Sequence, residues 1–195
     1  MKRNIFIYAL AFISLLGFTD LRAQIQMPQA SPAGSVSSTV GLTDVTIDYF
    51  RPKVKGRKIF GEGSNFLQPY GQLWRSGANS GSVLSLSTDV SIAGKAVAAG
   101  EYLIFTIPGS DSWEFMLYSD LSIGGNVAAY DQSKEVLRTS VSSTELNNTV
   151  ETLTYAITDI SEDNTSANIQ LAWENTSIKV PVTVDFDAIV MKDIQ

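Results

Sequence analysis

Between Tyr49 and Asn79 the chain reads YFRPKVKGRKIFGEGSNFLQPYGQLWRSGAN. Arg51, Lys53, Lys55, Arg57 and Lys58 fall close together in a chain whose formal net charge is −6. Cations gathered on one connection raise the local positive potential, and arginine forks match the oxygens of carboxylate, phosphate or sulfate. Gly56, among them, lets a ligand come close to the backbone. Farther along, Tyr70, Trp74, Arg75 and Asn79 bring aromatic faces and hydrogen-bonding heads that suit stacking on a sugar ring and holding its hydroxyls. The chemistry of this block is therefore recognition of an anion or a saccharide. Arg51, Lys53, Arg57 and Lys58 would supply charge, and Tyr70, Trp74, Arg75 and Asn79 a wall. The same residues also read as structure. The basic run is then a solvated loop whose arginines pair with Asp44, Asp48 or more distant acids. Trp74 plugs one end of a β-sandwich, Arg75 caps loop carbonyls and Asn79 makes an Asx turn. Whether Arg57 and Arg75 line a pocket or form structural pairs separates the two readings.

Composition removes most catalytic machinery. The chain has no histidine and no cysteine. Ser-His-Asp and Cys-His nucleophiles, histidine proton shuttles and zinc sites with nitrogen or sulfur ligands are excluded. Catalysis would fall to carboxylates, lysine, tyrosine or an oxygen-ligated metal. Glu62, Glu101, Glu114, Asp131 and Glu174 are the candidate carboxylates, but their spacing selects no pair of the kind glycoside hydrolysis needs. Asp159, Glu162 and Asp163 could offer oxygens to calcium, without an EF-hand or nonapeptide pattern. Gly124-Gly125 is not followed by Lys-Ser/Thr, so it is no phosphate cradle. No cofactor is expected. The reading leans to a binding module rather than an enzyme. A structural or envelope interaction protein is the alternative, and a carboxylate-dependent glycan-active enzyme the third.

The elements that must position the block follow from the ends inward. Lys2 and Arg3 precede an apolar run from Ile5 to Phe18, and Leu21-Arg22-Ala23 offers a small residue before Gln24. This predicts a signal peptide over 1–23, cut after Ala23, and a periplasmic or secreted protein. The run is shorter than the roughly 20 residues that span a bilayer. No later segment is long and apolar enough to cross. Loss of 1–23 makes the chain more acidic, which argues against nucleic acid as a partner. Without cysteine, an exported chain must rely on a core alone. An extended Pro/Ala/Ser/Gln-rich lead-in is expected over 24–34, one domain over 35–185, and a short helix or frayed tail over 186–195.

Within the domain the pattern is β throughout. Val45, Ile47 and Tyr49 alternate with Thr46 and Asp48, as in a half-buried strand. Val83 to Thr88 and Val90 to Ile92 follow, with a turn at Ala93-Gly94-Lys95. Glu101 to Ile107 is apolar on both parities, as in a strand buried on both faces. Pro108 to Asp111 is a turn into Trp113 to Tyr118. Ser122 to Asn126 reads as a loop and Ser133 to Glu135 as one helical turn. Val136 to Val141, Val150 to Ile160, Ala167 to Trp173 and Ile178 to Val184 read as separate strands, with Glu174-Asn175 a connection. Trp113 and Trp173 keep the parity of apolar neighbours and read as core. Pro181 cannot donate to a ladder and favours an edge. About nine or ten short strands with minimal helix predict an all-β fold, an antiparallel β-sandwich or jelly-roll-like barrel.

Several blocks together resemble a family known as domain of unknown function 2911, found in exported proteins of Bacteroidetes-type bacteria. They are Ser31-Pro32, Tyr49 with Arg51-Pro52, Lys55 to Gly61, Pro69-Tyr70-Gly71, Trp74-Arg75, Gly77-Ala78-Asn79, Gly100-Glu101-Tyr102, Trp113 and Leu171 to Asn175. The resemblance implies a β-rich fold and export, and no activity. Where that family's pattern often carries a Trp-Gly-Ala-Tyr-like run, this chain has Gly124 to Asp131, so an aromatic contact is expected to be missing there. Longer members carry a helical C-terminal extension, which is not expected here.

Overall fold

The computed structural model describes residues 27–186 and Met191. The expected signal peptide and its cleavage point lie outside the described residues, as does most of the expected tail. Strand β1 (Ala33–Val40) already includes the end of the expected lead-in. It forms a hairpin with β2 (Thr43–Phe50), joined at Gly41, whose φ of 59° a side chain would resist. In β2, Val45, Ile47 and Tyr49 are buried, while Asp44 and Asp48 face solvent.

After a small parallel pair, β3 (Phe60–Gly61) with β4 (Gln68–Pro69), come β5 (Ser82–Leu86), β6 (Val90–Ile92), β7 (Lys95–Val97), β8 (Gly100–Ile107) and β9 (Ser112–Tyr118). Two long strands end the described chain, β10 (Glu135–Thr158) and β11 (Ser166–Thr183). The main sheet has nine strands in the order β1-β2-β5-β8-β9-β10-β11-β6-β7. Its pairings are antiparallel, and it ends at β1 and β7 without closing into a barrel. The all-β class follows from the alternation of apolar residues, and the jelly-roll-like barrel is set aside. Among the described residues no helix is long and apolar enough to cross a membrane.

Strand β10 serves two layers. Its first part, to Ser142, pairs with β9, and from Ser143 it pairs with β11. The sheet folds over along β10, and the main core draws from both layers: Ile47, Leu84, Ile104 and Leu117 on one, Leu153, Ile169, Leu171 and Val180 on the other. Two of the expected separations are thereby corrected. Residues 136–160 hold one strand rather than two, with register shifts between Glu145, Val150 and Thr154. Glu174-Asn175 is not a connection but lies inside β11. Glu174 has φ 54°, and at this bulge the buried parity changes from Ile169, Leu171 and Trp173 to Ile178, Val180 and Val182. A strand whose facing side changes looks, in sequence, like two strands and a turn. Pro181 is likewise not on an edge strand. It sits beside the β6–β7 turn, accepting from Ala93 N–H at 2.8 Å.

Strand β8 is buried on both faces, as its two apolar parities predict. Tyr102 and Ile104 enter the main core, while Leu103 and Phe105 enter a second, smaller one with Met116 and Tyr118. The segment that follows β9 lies over this second core as three single 3₁₀ turns, 121–123, 127–129 and 132–134. Asp120, Asn126 and Asp131 cap them by accepting from backbone N–H groups. Tyr130 stacks on Tyr118 at 4.8 Å and meets Phe105 edge-on at 4.9 Å. Contrary to expectation, an aromatic contact is present at this segment, made by Tyr130.

Tyr130 also donates to Glu135 at 2.7 Å, and Arg138 Nε donates to the same carboxylate at 2.9 Å. Arg138 first, then Tyr130, hold the Glu135 carboxyl below its ordinary value of 4.5 against the opposing pull of burial. A depressed folded-state pKa contributes stability that is complete above the unfolded value and is lost as pH falls toward the folded one. Glu135→Gln is therefore expected to flatten the decline in unfolding free energy below about pH 4.5. Urea titrations across that range check this, and parallel pH profiles for wild type and variant would refute it.

Candidate functional site

The basic block begins as a continuation of β2. Pro52 to Val54 lie against β10, with Leu153 N–H donating to Pro52 O at 2.9 Å and Val54 N–H to Glu151 O at 2.8 Å. Lys53 bridges to Thr152. The chain then turns sharply through Lys55 at φ 49° and Gly56 at φ 69°. Glycine takes the second of these positions without cost, and Lys55 N–H is held by Glu151 Oε1 at 3.0 Å. Arg57 folds back on this turn, donating through Nε to Val54 O at 3.0 Å and through Nη2 to Lys53 O. Ile59 N–H, buried, donates to Glu174 Oε1 at 3.1 Å. Glu174 thus supports the loop from β11, and its oxygen is spent on backbone rather than offered to a substrate.

Lys53, Lys55, Arg57 and Lys58 are all exposed. The ion pairs among the described residues are Lys134–Asp120, Arg138–Glu135 and Lys179–Asp159, so none of these four cations meets a carboxylate within pairing distance. The expected pairing of the loop arginines with Asp44 or Asp48 is not found. Lys58 Nζ lies 5.7 Å from the centre of the Phe66 ring, a cation–π contact. Arg51 is half-buried. Its side chain lies against Gly34, where an added Cβ would come within 2.7 Å of Cδ, and its Nε is buried without a hydrogen-bond partner among the described residues.

The second half of the block points inward. Trp74 is 3% exposed and donates through Nε1 to Gly77 O at 3.1 Å. Its ring stacks with Trp173 at 5.9 Å and meets Phe60 and Trp113 edge-on at 5.6 and 6.2 Å. No open ring face remains for a sugar, so Trp74 cannot form the wall first assigned to it. Arg75 Nη1 donates to Gly125 O at 3.1 Å, tying the block to the 3₁₀ segment. Asn79 is exposed, at φ 51°, with Nδ2 reaching Ser31 O at 3.4 Å. Tyr70 is half-buried. Burial first, then Glu174, Asp111 and Glu62, push its hydroxyl pKa up, so it stays neutral. The eight candidate residues therefore divide. Lys53, Arg57 and Lys58 are exposed with Lys55 on the basic segment, and Arg51 lies half-buried against Gly34. Trp74 sits in the core, Arg75 and Asn79 tie loops together, and Tyr70 stands among acids.

A network that local sequence carries no sign of holds the inner half. Ser76 O accepts from Ser82 Oγ at 2.8 Å and from the buried Tyr155 hydroxyl at 3.1 Å, while Ser76 Oγ donates to Thr106 Oγ1 at 3.0 Å. Burial pushes the Tyr155 hydroxyl up, so it remains a donor. Tyr155 and Ser76 are 79 positions apart, and only the folded chain brings them together.

Of the other candidate acids, Glu101, Asp131, Asp159 and Asp163 are engaged by neighbouring groups. Glu101 Oε1 accepts from Ser85 Oγ at 3.3 Å. Asp131 caps a 3₁₀ turn, and Asp159 pairs with Lys179 and accepts from Asn168. Asp163 accepts from Ser161 and Thr165. Among the described residues no three carboxylates gather in a way that could hold a metal ion. Two open clefts lie elsewhere. One, of about 1290 Å³, is lined by Asp89, Asp163 and Asp185 among others. The other, of about 760 Å³, lies where β10 parts from β11, near Thr139, Ser142 and Pro181. Neither lining includes a residue of the basic face.

The family described as "Protein of unknown function (DUF2911)" has a model that matches residues 31–182. No curated protein and no solved structure matches the chain.

Proposed function

The chain belongs to the DUF2911 family, whose description carries no activity, and we propose that it is a non-catalytic binding module for an anionic ligand, held at the face made by Lys53, Lys55, Arg57 and Lys58. Its setting is the periplasm or the extracellular medium, as the first residues imply. One observation carries this reading: exposed cations crowd one turn of an acidic chain and have no carboxylate partner among the described residues. Mutual repulsion makes such a cluster unfavourable in the free protein, and an anion relieves it. The turn is held from behind by Glu151 and Glu174 through backbone N–H groups, so the lysine heads are left for a ligand, while Arg57 adds charge as it caps the turn.

The test is a variant in which Lys53, Lys55 and Lys58 are all replaced by alanine. These side chains are exposed, so the melting temperature should stay near wild type. Affinity for sulfate or a polycarboxylate, measured by calorimetry, should fall about tenfold or more, as for loss of charge-assisted hydrogen bonds. Unchanged affinity in a folded variant would remove the proposal.

A second reading has an observation in its favour. Trp74 is a plug at the centre of the aromatic core, so that half of the block is structural. In an envelope interaction protein of that kind, the lysine variant would bind every anion as wild type does.

A further inference from the structure

We infer that the basic face docks the protein onto an anionic lipid bilayer, an inference that rests on the anion-binding reading and names its ligand as the headgroups of a membrane surface. Three features point from a soluble anion to a bilayer. The first is shape. The cations stand on an exposed turn, and neither cleft described above includes them. A single small anion gains most from enclosure by several donors, whereas a charged plane needs only a protruding set of cations. Gly56 and Gly63, at the tips of the two adjoining turns, would have no heavy atom within 4 Å of an added Cβ. Both turns therefore stand clear of the body of the protein.

The second feature is an apolar neighbour. Leu67, 40% exposed, is fastened to the basic run by its N–H, which donates to Lys58 O at 3.0 Å. Phe66 lies beneath Lys58 and is also partly exposed. Cations beside a leucine and a phenylalanine suit an interface where headgroup phosphates meet acyl chains. There the cations stay with the phosphates and the apolar side chains enter the boundary region.

The third feature is the distribution of acids. Of those beside the face, Glu151 and Glu174 each give an oxygen to a backbone N–H, and Glu62 lies on the neighbouring turn. Negative charge elsewhere on the chain does not cancel attraction at the tip, because screening limits its reach to about 10 Å or less in physiological salt. Repulsion of that remaining surface would orient the protein with the basic turn toward the membrane.

The experiment uses the chain from Gln24, since among the described residues every strand and every residue of both cores lies after residue 32. It is sedimented with vesicles of phosphatidylcholine alone or mixed with phosphatidylglycerol. Wild type should bind the phosphatidylglycerol vesicles in a salt-sensitive way and leave the neutral ones. Each lysine replaced by alanine at 53, 55 or 58 should weaken binding roughly fivefold. Leu67→Ser should weaken binding while leaving its salt dependence in place. Equal binding to both vesicle types, or undiminished binding by the folded triple lysine variant, overturns the inference. Sulfate binding that depends on the lysines, without vesicle binding, also overturns it and leaves the anion-binding module standing. Loss of both signals removes the two together.

Discussion

Trp74→Ala is expected to lower the unfolding free energy by about 4 kcal/mol, near the upper range for truncating a buried aromatic. Trp74 sits where four rings converge, stacked with Trp173 and edge-on to Phe60 and Trp113. Removing the indole leaves a cavity walled by rings from β3, β9 and β11. Flat, rigid groups on separate strands cannot all move into it, so little of the loss is recovered by relaxation. A polar loss adds to this. Among the described residues the buried indole nitrogens of Trp113 and Trp173 have no partner, whereas Trp74 donates to Gly77 O. Trp74→Phe keeps much of the apolar contact and drops the hydrogen bond, so it should cost clearly less than the alanine variant. Urea unfolding of both checks this. A loss below about 1 kcal/mol for Trp74→Ala, the scale of an ordinary surface change, would mean that Trp74 is not the plug described here.

Gly125→Ala is expected to cost about 3 kcal/mol, at the upper end of ordinary overpacking. A methyl group there would lie 2.7 Å from Asn79 O and 3.0 Å from Gly81 N, and would also strike Arg75 Cδ. Arginine can swing aside, but the two backbone atoms belong to the turn that leads into β5, where Gly81 N–H is already bonded to Ala78 O. The methyl must therefore push the 3₁₀ segment away from the 75–81 loop, and it would stretch the Arg75–Gly125 hydrogen bond. A double variant separates the two causes. If backbone crowding dominates, adding Arg75→Ala to Gly125→Ala recovers little stability. Recovery of most of the loss would assign the effect to the arginine, and a neutral single variant would contradict the close approach of the two loops.

Both predictions fall where the inner half of the block meets distant parts of the chain, which local sequence describes least well. Trp74 and Arg75 are adjacent and both lie in irregular backbone, where no period of two assigns one side chain to the core and the next to the surface. Trp74 and Arg75 read either as a ligand wall or as a plug and a cap on loop carbonyls, and the contacts they make are those of the second reading. Their destinations depend on Trp173 and Gly125, far away in sequence. Arg57 shows the same limit from the other side. As a cation on a loop it read as a ligand or as half of an ion pair, and it caps its own turn, an outcome set by the left-handed backbone at Lys55 and Gly56.

Long strands were hidden for a related reason. Strand β11 carries a residue at positive φ, Glu174, with its apolar parity shifted on the two sides. Pattern reading counts such a shift as a break, because an uninterrupted strand keeps one face. Continuity is decided by the partner strand, which supplies hydrogen bonds across the irregularity.

What the sequence determined by itself is what depends on local pattern or on composition. Alternation in β2, two apolar parities in β8 and turn residues at Pro108 to Asp111 were enough for an all-β fold, since a pleated strand shows its environment at every second residue. The lack of histidine and cysteine excluded whole classes of chemistry without reference to shape. The crowding of cations at 51–58 was visible in the same way, as a property of neighbours in the chain. Tertiary structure alone decided which members of the 51–79 block face solvent and which are consumed inside. Glu174 reaches Ile59 across 115 positions, and the Tyr155 hydroxyl reaches Ser76 across 79. Such pairings depend on how the folded sheet brings distant strands together, and that arrangement leaves no mark on the residues next to either partner.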